Sequence, residues 1–204
     1  MNNYDYTDKL LKTARRLVVR SFDNYKISKK DLSETRKLYG IIKEFVQKMY
    51  LKIVRHYYVK YGGKKKKKFD DEWLYEFLME FDPMTGYQFS REWDRKLYRQ
   101  YESVEACKKN KLSPSKPIDR SMSLLNSQIT QKAIKATDTG VLEALKEQGV
   151  KKVRWITRDD EKVCDECWPR HMQVFDINKV PPKHPNCRCW LVREDENRTR
   201  QGSL

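Results

Sequence analysis

The sequence predicts an α+β chain: a mostly helical body followed by a small C-terminal module containing a short β-sheet. Three observations carry this. Apolar residues recur at helical spacing from about residue 5 to residue 148. The pattern changes at Lys152, where alternate residues become apolar, as in a strand. Four of the five cysteines then fall between Cys164 and Cys189, with His184 among them.

The elements follow in order. Residues 5–25 read as a helix with Leu10, Ala14, Leu17, Val18 and Phe22 on one face and Lys12, Arg15, Arg16 and Arg20 on the rest. After a break near Ile27, Asp31 and Glu34 have capping-box spacing, in which each side chain can satisfy an orphan N–H of the other. The helix they open is expected to run to Tyr61, with Leu38, Ile41, Ile42, Phe45, Met49, Ile53 and Tyr57 inward, and to end at Gly62 and Gly63. Lys64, Lys65, Lys66, Lys67 and Lys68 form an uninterrupted basic run, read first as a solvated loop and second as phosphate contact.

Asp70 to Phe81 is expected to be a short acidic, aromatic helix stopped by Asp82 and Pro83, with a turn over Met84–Gly86. A helix from Ser90 to Ala106 carries Trp93, Leu97 and Tyr101 inward. Arg91, Arg95 and Arg99 share another face, a solvated row that could also touch phosphates. Cys107 reads as packing. Lys108 to Lys116 reads as a linker. A helix over Asp119–Ala136 is expected to break at Thr137, Asp138 and Thr139 before a short helix from Val141 to Gln148, capped by Gly149. Lys152–Thr157, Val174–Phe175 and Cys189–Val192 are the candidate strands, and the charged tail after Arg193 is expected to fray. The implied organisation is a helical body over 1–110, a linker and helical lead-in over 111–150, a module over 151–193 and a tail over 194–204.

The cluster localises the chemistry. Cys164 and Cys167 have C-x2-C spacing; His184 and Cys187 have H-x2-C spacing, with Cys189 two residues on. Two such knuckles can close a tetrahedral zinc site. Five candidates compete for four places. The matching spacings favour Cys164, Cys167, His184 and Cys187, with Cys189 in reserve. Four protein ligands would leave no position for water, so the metal is read as structural. His171 has no spaced partner and reads as a loop residue; His56 reads as packing. Asp159, Asp160 and Glu161 read as backbone caps rather than catalytic acids. No H-E-x-x-H, G-x-S-x-G or P-loop pattern is present.

A formal net charge of +15 points to a polyanionic neighbour. No apolar run reaches the roughly eighteen residues a membrane span requires. The N-terminus lacks secretory features, so a reducing cytoplasm, and metal rather than disulfides, is expected.

The stretch from Trp155 through Thr157, Cys164 and Cys167 to Pro182, His184, Pro185, Cys187, Arg188 and Cys189 resembles the C-terminal domain of the phage Mu protein F-like family of minor head, or head morphogenesis, proteins. The shared pattern is a strand ending in Thr, an acid, C-x2-C, a loop, then P-x-H-P-x-C-R-C. The lead-in over 119–149 is similar too, and residues 84–95 more loosely, so the resemblance covers about residues 84–192. Many relatives carry a glycine a few residues after the second cysteine; this chain has Trp168-Pro-Arg-His171-Met172 there. The resemblance implies a low-copy structural protein without catalytic activity. Its place would be the procapsid or virion interior, after assembly in host cytoplasm. Its partners would be the portal protein, the major capsid or scaffolding protein, and packaged double-stranded DNA bound non-specifically. The alternative is a zinc-containing nucleic-acid-binding factor.

Overall fold

The computed structural model describes residues 5–27, 31–64, 67–82, 87–157, 164–184 and 187–195. Five helices precede a small sheet: α1 (Asp5–Ile27), α2 (Leu32–Lys60), α3 (Asp71–Met79), α4 (Phe89–Lys109) and α5 (Ser115–Glu147). A two-residue hairpin, β1 (Phe81–Asp82) with β2 (Tyr87–Gln88), sits between α3 and α4. The C-terminal strands are β3 (Lys152–Ile156), β4 (Val174–Asp176) and β5 (Trp190–Arg193), antiparallel in the order β4-β3-β5.

The four long helices alternate in direction. Tyr6 stacks on His56 and Tyr25 bonds Thr35, so α1 and α2 are antiparallel. Arg36 reaches Tyr98 while Tyr50 packs on Phe89, which sets α4 antiparallel to α2. Tyr50 and Tyr58 reach Ile129 and Glu147, so α5 runs parallel to α2. Helix α3 covers one side through Tyr50, Phe77 and Trp73.

The local signals mostly act as expected. The Asp31 carboxylate accepts from the Glu34 N–H at 2.9 Å, and Asp70 caps α3 from the Trp73 N–H at 3.1 Å. Gly62 and Gly149 take φ of +85° and +77°, the left-handed conformation that lets a helix end. Ile41 departs from its expected inward place and is 58% exposed. The short aromatic helix stops at Met79, because the next residues pair as strand β1.

One expectation fails in an instructive way. The two helices expected over Asp119–Ala136 and Val141–Gln148 are one. This is α5, a continuous 33-residue helix packed against α1, α2 and α4. The expected break at Thr137–Thr139 is a contact site. Thr137 Oγ1 donates to Ala133 O and meets Thr7 Oγ1 of α1 at 2.7 Å. Asp138 meets Lys183 of the C-terminal module at 2.5 Å. At Gly140, a Cβ would lie 2.5 Å from the Val54 carbonyl oxygen of α2. Residues that disfavour an isolated helix are here required by three neighbours at once, and tertiary contact overrides propensity. The core is correspondingly continuous, from Leu11 and Val18 through Ile129 and Leu145 to Trp155, Cys167, Cys187 and Leu191.

Candidate metal centre

The sheet builds the floor. Trp155, in the central strand β3, is fully buried, with Phe175 of β4 edge-on at 6.2 Å. Arg170 and Lys183, which flank the two knuckles, both approach its ring, at 5.4 and 5.6 Å from the centroid. A guanidinium and an ammonium are attracted by the face of an indole, so one aromatic residue contacts the chain beside both Cys/His turns.

Each knuckle closes on itself in the same way. The Cys167 N–H donates to Cys164 O at 3.0 Å, and the Cys187 N–H donates to His184 O at 3.1 Å. An i to i+3 backbone bond brings the side chains of an x2-spaced pair to one side, which is the physical content of the spacing. Between the knuckles, Trp168–Arg170 makes a 3-10 turn and the chain reverses at Met172, whose φ is +63°. Here a methionine rather than a glycine holds the left-handed conformation. His171 pins the reversal, its Nδ1 lying 3.1 Å from the Thr157 N and 2.7 Å from its Oγ1. Because a backbone N–H can only donate, Nδ1 accepts, and Nε2 carries the imidazole proton. His171 is therefore a positioning residue, a role that its lack of a spaced partner concealed.

The five predicted residues converge. His184 Nε2 lies 3.0 Å from Cys164 Sγ and 3.1 Å from Cys167 Sγ; Cys167 Sγ lies 3.7 Å from Cys187 Sγ. Two triads result, Cys164–Cys167–His184 and Cys167–Cys187–Cys189, each with donor atoms within 4.8 Å of one another. Cys167 belongs to both. Cys167, Cys187 and Cys189 are buried; Cys164 is half-buried. Tetrahedral bonds of about 2.3 Å to sulfur would separate two ligand sulfurs by about 3.8 Å, close to the Cys167–Cys187 distance.

Without a cation this arrangement disfavours ionisation. Burial, followed by the neighbouring Cys164 and Cys187, pushes the Cys167 thiol up to about 12. The contact with Cys189, together with burial, raises Cys187 further. Soft donors packed around two thiols, Cys167 and Cys187, whose ionisation burial disfavours fit a divalent ion, which replaces the protons and neutralises the thiolates. The cluster could thus hold a metal ion. Lys183 contributes by position: it adjoins His184, its side chain is 3% exposed, and it ties this turn to Asp138 in the C-terminal part of α5.

The predicted phosphate contacts are dispersed. Arg91, Arg95 and Arg99 lie exposed along α4, and Glu92 neutralises Arg95. Lys64, Lys67 and Lys68 are exposed after α2, but Lys67 is bound to Glu143 of α5, and the Lys64 N–H donates to Glu147 at 3.0 Å. The run is therefore anchored at two points rather than wholly solvated. Lys65, Lys66, Asp159, Asp160 and Glu161 lie outside the described residues, as do residues 83–86 and 196–204. Cys107 stands apart from the cluster, half-buried on α4. Among the described residues no helix is long and apolar enough to cross a membrane. Comparison with protein-family models, with curated proteins and with solved structures finds no match to this chain.

Proposed function

We propose that the cluster binds one structural Zn²⁺ through Cys164, Cys167, His184 and Cys187, and that the protein is a non-catalytic minor head protein of a tailed phage or prophage. The observation that carries the reading is the convergence of Cys164, Cys167, His184, Cys187 and Cys189 in one cluster of two triads that share Cys167. Cys189 is the fifth donor, packed against Cys187. The metal closes the module between β3 and β5, where the few apolar residues of a small sheet need a staple.

The protein then acts in few copies at the portal or procapsid interior, assembled in host cytoplasm. Its partners are the portal, major capsid or scaffolding protein. Its exposed cations neutralise phosphates of packaged double-stranded DNA without reading sequence. The test is quantitative mass spectrometry of gradient-purified particles from cells carrying the gene, with zinc analysis of the purified protein. A few copies per particle and one zinc per chain are expected. Absence from both procapsids and mature particles overturns the head-protein reading and puts the zinc-containing nucleic-acid-binding factor first.

A further inference from the structure

The four-helix body carries a second surface, remote in sequence from the cluster. At the start of α1 and the end of α2, Tyr6 and His56 stack with ring centroids 3.9 Å apart and planes 12° from parallel. Both rings are only partly buried, and both line a shallow hollow of about 460 Å³ completed by Lys52, Arg55, Val59 and Lys60. Three of these six residues are cationic and none is acidic. Among the described residues, Lys52, Arg55 and Lys60 make no ion pair. The Arg55 guanidinium donates to Phe69 O, and Lys60 Nζ lies 5.5 Å from the Tyr57 ring centroid. Asp5 and Asp8 on α1 act on the Tyr57 hydroxyl and do not line the hollow.

A floor of stacked rings and a rim of cations is a specific combination. Cations alone fit any polyanion. A partly exposed stacked aromatic pair can offer a π-face to a planar group, and a nucleobase with its phosphate supplies both halves. Burial and the adjacent Lys60 favour neutral His56, which leaves an uncharged ring for stacking. Bases inside a duplex already stack on each other, so the platform is useful only to an unpaired one. Lys52, Arg55 and Lys60 succeed one another along α2. Such a succession suits a chain of phosphates better than one.

We propose that Tyr6 and His56 form a stacking platform for an unpaired base of a single-stranded nucleic acid, whose flanking phosphates contact Lys52, Arg55 and Lys60. This surface is independent of the metal centre and of the head-protein reading. It differs from the non-specific duplex contacts proposed above in the form of nucleic acid it selects.

The experiment is fluorescence anisotropy with the full zinc-loaded chain and three probes: a labelled ten-nucleotide oligo(dT), a mixed-sequence duplex of ten base pairs, and thymidine monophosphate as competitor. Tighter binding of the single strand than the duplex is expected, with weak competition by the mononucleotide. Tyr6→Leu and His56→Leu should each weaken single-strand binding roughly 5- to 150-fold, the usual range for one stacked base, while leaving duplex binding unchanged. Lys52→Gln with Lys60→Gln should reduce the salt slope for the single strand by about 1.4. Thermal melts verify folding, and Lys52→Glu on the exposed rim provides a variant with no packing role. Equal affinity for strand and duplex, or aromatic variants that bind the strand normally, overturns the proposal. So does a mononucleotide that competes as well as the strand, because that assigns the hollow to a free nucleotide.

Discussion

Gly140→Ala is the sharpest test of how this fold is held together. In an isolated helix the change stabilises by about 1 kcal/mol, since alanine restricts the unfolded chain and favours helix. In this protein the new Cβ would lie 2.5 Å from Val54 O, and 3.1 Å from both Tyr57 Cβ and Tyr58 N. The first contact is about 0.9 Å short of an ordinary 3.4 Å separation. Both sides of it are helix backbone, so no rotamer change relieves it; α2 and α5 must move apart. Overpacking of this kind costs about 1–3 kcal/mol. The upper half of that range applies, because Thr137 and Asp138 on the same turn hold α1 and the metal module. The net expectation is a loss of about 1–2 kcal/mol, a fall in Tm of roughly 2–8 °C for a chain of this length. Gly40→Ala on the exposed face of α2 is the matched control, since nothing lies within 4 Å of its Cβ. It should gain about 0.5–1 kcal/mol. Urea unfolding of zinc-loaded protein, followed by far-UV circular dichroism with m-values compared, reads both. If Gly140→Ala is as stable as the parent or more so, the close approach of α2 and α5 is wrong.

Other substitutions address the metal centre and its anchorage. Cys164→Ala, Cys167→Ala, His184→Ala and Cys187→Ala should each drop zinc below one per chain by elemental analysis, with lower solubility, while Cys189→Ala and Cys107→Ala retain it; loss of zinc in Cys189→Ala would replace the proposed quartet. Asp138→Asn and Lys183→Met should each destabilise by about 1–3 kcal/mol, because each removes one partner of a part-buried ion pair. The double variant should recover part of that loss, and simple additivity in the cycle would show that the two do not act as a pair. Glu147 accepts from the Lys64 N–H and the Tyr58 hydroxyl, which together hold its carboxyl below the ordinary carboxylate range. Its contribution is therefore complete above its unfolded pKa, near 4.5, and is lost as pH falls through the lower folded value. Glu147→Gln should flatten the acid limb of the stability profile below about pH 4.5 and change its shape little above that. An acid limb identical to the parent's would remove Glu147 from the account.

The candidate donors were legible because they form a local pattern. Two x2 spacings each close an i to i+3 backbone bond, whatever surrounds them, so Cys164, Cys167, His184 and Cys187 could be paired from spacing alone. Helix starts at Asp31 and Asp70 and the stop at Gly149 were legible for the same reason: caps act within four residues. Other features have no local signature. Nothing near Lys183 in the chain indicates that its ammonium meets Asp138, forty-five residues away, and Trp155 collects its two cations from both knuckles.

Thr137, Asp138, Thr139 and Gly140 mark the boundary most clearly. By residue type they end a helix, because short polar side chains compete for backbone bonds and glycine retains the most freedom when unfolded. By position they continue one, because Thr137 faces a threonine of α1, Asp138 faces a lysine of the metal module, and Gly140 admits the backbone of α2. Amino-acid order alone determined the helical character, the capped ends, the three strands and the candidate ligands, all of which depend on neighbours a few residues apart. Only the packed structure decided that residues 115–147 are one helix joining body and module, and that the five candidate donors form two triads sharing Cys167. Those outcomes depend on burial and on contacts between residues far apart in the chain, where a lost local preference of about 1 kcal/mol is outweighed by the surfaces it brings together.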